Sequence, residues 1–160
     1  MRLALRSGKI LEDNVSSFTR KLGLSVVFCA SVLGAGSVLA HGNVTPQAID
    51  TTGLPPAGSD WLEKNPYRGT KDQELATKIG SSGFNQNCAR CHGLEAESGG
   101  LAPDLRYLDK GDEGDAWFIN RVRHGYSQNG VTKMPVWEGI LSQEAMWAIR
   151  TYLDSRYQGD

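Results

Sequence analysis

The run Cys88-Ala89-Arg90-Cys91-His92 constrains this chain more than any other feature. It sets two thiols and an imidazole at positions i, i+3 and i+4, which on a helix lie on one face. Two thiols so spaced can add as thioethers to the two vinyl groups of one haem, while the adjacent imidazole meets the iron from the proximal side. Other uses of the pair meet objections. A thioredoxin-like dithiol follows a strand in a βαβ unit, which the sequence lacks, and a structural zinc site needs four ligands, whereas His41 and His124 are the only further histidines.

The first forty residues differ from the rest. Arg2, Arg6, Lys9, Arg20 and Lys21 precede an apolar run over residues 22–40, which ends in Val38 and Ala40. This is a secretory signal in outline, with cleavage expected between Ala40 and His41 and with Ala35 or Ala30 left open as alternatives. An uncleaved membrane anchor is the competing reading, since about 20 apolar residues can span a bilayer. Gly23, Gly34, Gly36 and several serines dilute the run. Cleavage removes Cys29, so that only Cys88 and Cys91 remain and no disulfide framework is available. It also takes five of 17 basic and two of 18 acidic residues, leaving 12 and 16 and a net charge of −4. With no basic stripe, nucleic acid is a poor partner.

Residues 41–70 carry Pro46, Pro55, Pro56 and Pro66 and read as an extended arm, with Trp61 and Tyr67 pinning it to the domain of residues 71–160. A helix is expected from a cap at Asp72 through Leu75, Ile79 and Phe84 to the cysteines. Gly80 and Gly83 weaken it by about 1 kcal/mol each, which suggests a close approach by the last helix. After a polar stretch broken by Pro103, residues 115–124 resume a helical pattern, with Trp117, Phe118 and Val122 on the apolar side. Residues 125–139 read as a loop. Ser142 then caps a final helix bearing Ala145, Met146, Ile149, Tyr152 and Leu153. No strand alternation competes, and the fold class expected is all-α.

Four side chains compete for the sixth iron position: Met134, Met146, His124 and His41. Met134 is favoured, because Pro135 holds it extended within a loop that can present sulfur rigidly. Met146 falls in the apolar pattern of the last helix and reads as core filler; His124, beside Arg121 and Arg123, reads as surface. The other ring nitrogen of His92 needs an acceptor, for which the Pro103 carbonyl is the candidate. Tyr107, Arg106, Trp137 and Tyr126 either donate to haem propionates or pack around the ring, and the sequence does not separate these roles.

The order helix, Cys-x-x-Cys-His, proline-bearing loop, helix, Met-Pro loop and final helix resembles the class I cytochrome c family over residues 72–157. Gly80 with Phe84, Ala102-Pro103-Asp104-Leu105, Leu141-Ser142 and Tyr152-Leu153 carry the resemblance further. More narrowly, Asn65-Pro66-Tyr67-Arg68-Gly69 and the eleven residues from Asn85 to Glu95 are similar to PedF-type cytochromes c. The resemblance implies helices wrapped around one covalently bound haem c, a long N-terminal arm packed across it, thioether links at Cys88 and Cys91, and axial ligation by His92 and Met134. It further implies a periplasmic carrier that takes single electrons from a pyrroloquinoline quinone (PQQ) dependent alcohol dehydrogenase and passes them toward a terminal oxidase or another cytochrome.

Two other functions remain in view. A haem peroxidase or gas-binding protein would leave the distal side open, but it would need polar distal groups that the sequence hardly supplies. A membrane-tethered cytochrome subunit of a dehydrogenase would keep residues 22–40 as its anchor.

Overall fold

A computed structural model of the chain describes residues 45–159. The expected leader, its cleavage point, the start of the arm and the candidate ligand His41 lie outside them. No helix among the described residues is long and apolar enough to cross a membrane. The described residues form four helices, α1 (Gln73–Asn87), α2 (Ala89–His92), α3 (Gly111–His124) and α4 (Gln143–Arg156), with short 3₁₀ turns at Leu94–Ala96 and Leu105–Tyr107.

Helix α1 starts where the sequence indicates, but not by the expected cap. Asp72 occupies the N-cap position without a side-chain bond to the helix, and its own N–H donates to Thr70 Oγ1. The helix also does not run unbroken through the motif, because Cys88, at φ −112° and ψ −33°, separates α1 from the single turn of α2. Helix α3 begins at Gly111, four residues earlier than the apolar pattern suggests, with Asp112 and Glu113 in its first turn. Carboxylates there are favoured by the helix dipole, which a search for apolar periodicity does not register. Helix α4 is capped by Ser142, whose Oγ accepts from the Ala145 N–H at 3.2 Å.

The core forms where α1 crosses α4. A Cβ on Gly80 would lie 1.9 Å from the Ala148 carbonyl oxygen, so the two backbones approach as closely as they do only because this residue is glycine. Phe84 of α1 meets Tyr152 of α4 with ring centres 5.6 Å apart, and Phe118 of α3 meets Trp147 of α4 at 6.4 Å. Met146, Trp147, Ala148 and Leu153 are buried.

The arm lies across α1 and α4. Ile49 packs on Gly83, the Gln47 N–H donates to Asn87 Oδ1 at 2.8 Å, and the Ala57 and Leu62 amides donate to Glu144 and Gln143. Tyr67 is buried and its hydroxyl donates to the Pro55 carbonyl at 3.1 Å. A buried ionic network anchors the arm's end. Asp115, fully buried, accepts from Arg68 at 2.6 and 2.8 Å, from Arg150 Nε at 2.7 Å and from the Asn65 N–H at 2.9 Å. Arg68 also reaches Asp154 at 2.9 Å. Burial alone would raise the Asp115 carboxyl, but the two guanidiniums and the amide outweigh it and hold the group below the usual carboxylate range.

The all-α expectation needs one correction. Residues 125–139 are not simply a loop, for β1 (Tyr126–Gln128) and β2 (Val131–Met134) form an antiparallel hairpin. Gln128 pairs with Val131 across Asn129 and Gly130, whose φ values of 51° and 75° are those of a type I′ turn. A bulge follows, so that Tyr126 pairs with Met134.

Candidate functional site

Helices α1, α3 and α4, the motif and the hairpin line a cleft of about 480 Å³ that is partly open to solvent. Cys88, His92 and Met134 all line it, among the apolar side chains Phe84, Leu105, Trp117, Phe118, Val122, Trp137, Leu141, Ile149 and Leu153. None of the described arm residues does, so the arm is packed across the helices and not across the cleft. A concave apolar wall with a few converging polar groups is what a large flat hydrophobic ligand requires.

The motif stands at one edge. Cys88 is half-buried and Cys91 exposed. Burial, with a smaller contribution from Cys91, pushes the Cys88 thiol up to about 12, an environment that favours neutral sulfur, as in a thioether. His92 Nδ1 lies 2.9 Å from the Pro103 carbonyl oxygen. A carbonyl can only accept, so Nδ1 carries the proton and Nε2 is left with the lone pair that a metal needs. The acceptor is itself held. Asp104, next to Pro103, takes hydrogen bonds from the Arg106 N–H, from Arg106 Nε and Nη2 at 3.0 and 2.7 Å, and from the Ser98 N–H at 3.3 Å. The Arg106 guanidinium brings the Asp104 carboxyl down to about 2.

Met134 enters from the end of β2. Gly125, at φ 67°, ends α3 against it: a Cβ there would lie 2.5 Å from the Met134 carbonyl oxygen. The Trp137 N–H donates to the Val122 carbonyl at 3.1 Å, which returns the chain to α3 just beyond Pro135. The other candidates lie elsewhere. Met146 is fully buried in the core and does not line the cleft; the His124 side chain is 55% exposed and its ring meets the Asn120 carbonyl. Of the four residues with unsorted roles, Trp137 lines the cleft, Arg106 is engaged with Asp104 and Glu97, and Tyr107 and Tyr126 are exposed.

Sequence reasoning passed over Arg121. It alone brings a permanent charge to the cleft lining among the described residues, and its guanidinium lies 5.3 and 4.4 Å from the ring centres of Trp117 and Tyr126. The i, i+4 spacing of Trp117 and Arg121 was the available signal.

A haem fits this donor set: a thiol and a tautomer-fixed imidazole on one element, a thioether on another, and an apolar wall around them. Residues 75–153 match the family model described as cytochrome C oxidase, cbb3-type, subunit III. The chain belongs to the cytochrome c family, carries covalently bound haem c, and is an electron-transfer protein, not an enzyme. It is 58% identical over 118 residues, 73% of this chain and 81% of the relative, to a Pseudomonas aeruginosa protein named cytochrome c550. No solved structure matches it.

Proposed function

We propose that this chain is a periplasmic single-haem electron carrier in which Cys88 and Cys91 hold the haem, His92 and Met134 are its axial ligands, and Pro103 orients His92. The observation that carries this reading is that His92, with its proton on Nδ1, and Met134 line one apolar cleft. When bound, the haem would supply the one-electron couple, and a thioether from Met134 together with the His92 imidazole would favour ferrous iron and so raise the potential. The chain's own part is to keep water and foreign ligands from the distal side. A firmly presented Met134 does this, which favours electron transfer over the peroxidase and gas-binding readings.

The donor we propose is a PQQ-dependent alcohol dehydrogenase, and the acceptor a terminal oxidase or another cytochrome. The support is the resemblance of Asn65 to Gly69 and of Asn85 to Glu95 to PedF-type cytochromes. Export with cleavage before His41 follows from the leader pattern and from the location of haem attachment outside the cytoplasm.

Optical spectra of the haem-loaded protein test the axial pair. The ferric form should show the weak long-wavelength band of sulfur-to-iron charge transfer, lost in Met134→Ala. Absence of that band in the unaltered protein, with rapid carbon monoxide binding to the ferrous form, would replace this reading with an open distal site. Stopped-flow mixing with a reduced PQQ-dependent alcohol dehydrogenase tests the donor, and reduction no faster than by an unrelated quinoprotein would remove it.

A further inference from the structure

The arm and the Met134 loop meet at a group of side chains that the haem site does not use. Arg123, in the last turn of α3, donates from Nε and Nη2 to Glu138 at 3.1 and 3.2 Å. Glu138 stands four residues after Met134, and its own N–H lies 3.5 Å from the Arg123 carbonyl oxygen. The same guanidinium lies over the Trp61 ring, 4.2 Å from its centre. Trp61 is itself held, because Gln143, buried at the start of α4, accepts from the Leu62 N–H at 2.7 Å and donates to the Asp60 carbonyl at 3.1 Å.

An ion pair as open to solvent as Arg123 and Glu138, with side chains 23% and 36% exposed, is worth little by itself. Its two long side chains must be ordered before the fork can close. A tryptophan face supplies that order and adds a cation–π attraction. The His124 ring, 3.9 Å from the same carboxylate, is the other basic group facing it.

We propose that the N-terminal arm latches the Met134 loop through Trp61, Arg123 and Glu138, which makes these three positioning residues for the sulfur ligand. The proposal rests on Met134 being that ligand. The latch slows departure of the sulfur from ferric iron, so an added ligand can enter only when the loop lifts.

Cyanide binding to the ferric, haem-loaded protein measures that lifting directly. Trp61→Ala and Glu138→Gln should each raise the limiting binding rate by roughly tenfold, the scale expected from losing a stacked, ordered ion pair. Trp61→Phe, which keeps an aromatic face but removes the indole donor to Glu138, should recover part of the slow rate. Ile49→Ala is the control, since it loosens the arm against Gly83 without touching the loop; it should leave the rate unchanged at a comparable loss of denaturant stability. If Trp61→Ala binds cyanide no faster than Ile49→Ala while Met134→Ala binds it fast, the latch is wrong and the axial reading stands. If Met134→Ala and the unaltered protein bind it equally fast, the axial reading fails and the latch falls with it.

Discussion

Replacing Gly80 by alanine tests the packing on which the haem cleft stands. Its Cβ would sit 1.9 Å from the Ala148 carbonyl oxygen and 2.4 Å from its carbon. Bringing the first contact to even 3.0 Å, the shortest that real Cβ atoms show, opens the crossing of α1 and α4 by about 1.1 Å. Both partners are helix backbone, so no rotamer change can absorb the clash. Alanine gains about 1 kcal/mol of helix propensity, while overpacking of this kind costs about 1–3 kcal/mol and more where backbone must move. The net expectation is a loss of about 2 kcal/mol. Gly83→Ala is the internal comparison: its Cβ meets the tip of Ile49 at 2.5 Å, a flexible side chain that can turn away, so the change should stay within about 1 kcal/mol of neutral. Guanidinium unfolding of the haem-loaded protein, followed by haem absorbance and by far-ultraviolet circular dichroism, reads both. If Gly80→Ala is as stable as the unaltered protein or more so, propensity has won, and the close crossing is not what holds these helices.

Asp115→Asn should cost about 3 kcal/mol at neutral pH in denaturant titrations, because it removes the 2.7 Å carboxylate partner of Arg150, 1% exposed, and leaves it only the Asp154 carboxylate at 3.3 Å. The Asp115 carboxyl is depressed in the folded state, so its contribution is complete above the ordinary carboxylate value near 4 and disappears as pH falls below that through the folded value; the acid limb of a stability curve should therefore be flatter in the variant. Gly125→Ala combines a left-handed backbone with a 2.5 Å approach to the Met134 carbonyl, costs about 1–3 kcal/mol, and should weaken the sulfur-to-iron band before the chain unfolds on heating. Cys88→Ala with Cys91→Ala should leave no haem on a denaturing gel. The intact mass of the exported protein should correspond to residues 41–160 plus one haem, and a mass that includes Met1 would restore the anchored form.

Much of the helical frame can be read from residues alone, since the signals are local. The apolar spacing of Met146, Ile149 and Leu153, the Ser142 cap and the glycine at position 80 each have a short-range physical meaning, and the structure uses each of them. Met134, which Pro135 follows, lines the cleft that His92 also lines, while Met146 stays in the core. The hairpin was also legible, in Asn129-Gly130, but its strands are only three and four residues long and wholly or mostly exposed, so no alternation of apolar and polar residues marks them. The ionic network was not legible. Arg68, Asp115 and Arg150 are far apart in sequence, and a charge within the apolar period of α4 reads as solvent-facing until its partners are placed around it.

That network changes what the run Asn65 to Gly69 can tell. Asn65 donates its backbone N–H to Asp115 and its side-chain amide to Thr151, Tyr67 is buried, and Arg68 bridges Asp115 and Asp154. The Asn65 and Arg68 contacts fasten the arm to α3 and α4, and none of these residues lines the cleft. The proposed resemblance of this run to PedF-type cytochromes therefore reflects the construction of the arm, and the donor reading leans on the resemblance proposed for Asn85 to Glu95. Recognition of a donor has to be carried by surface side chains instead. Trp117 and Tyr126, 45% and 43% exposed, flank the cleft-lining Arg121 and follow from no requirement of the core. If the donor is the dehydrogenase proposed, Trp117→Ser or Arg121→Gln should slow electron transfer from it several-fold, while Arg68→Lys should reduce stability and leave that rate alone; the reverse pattern would move the docking surface to the arm.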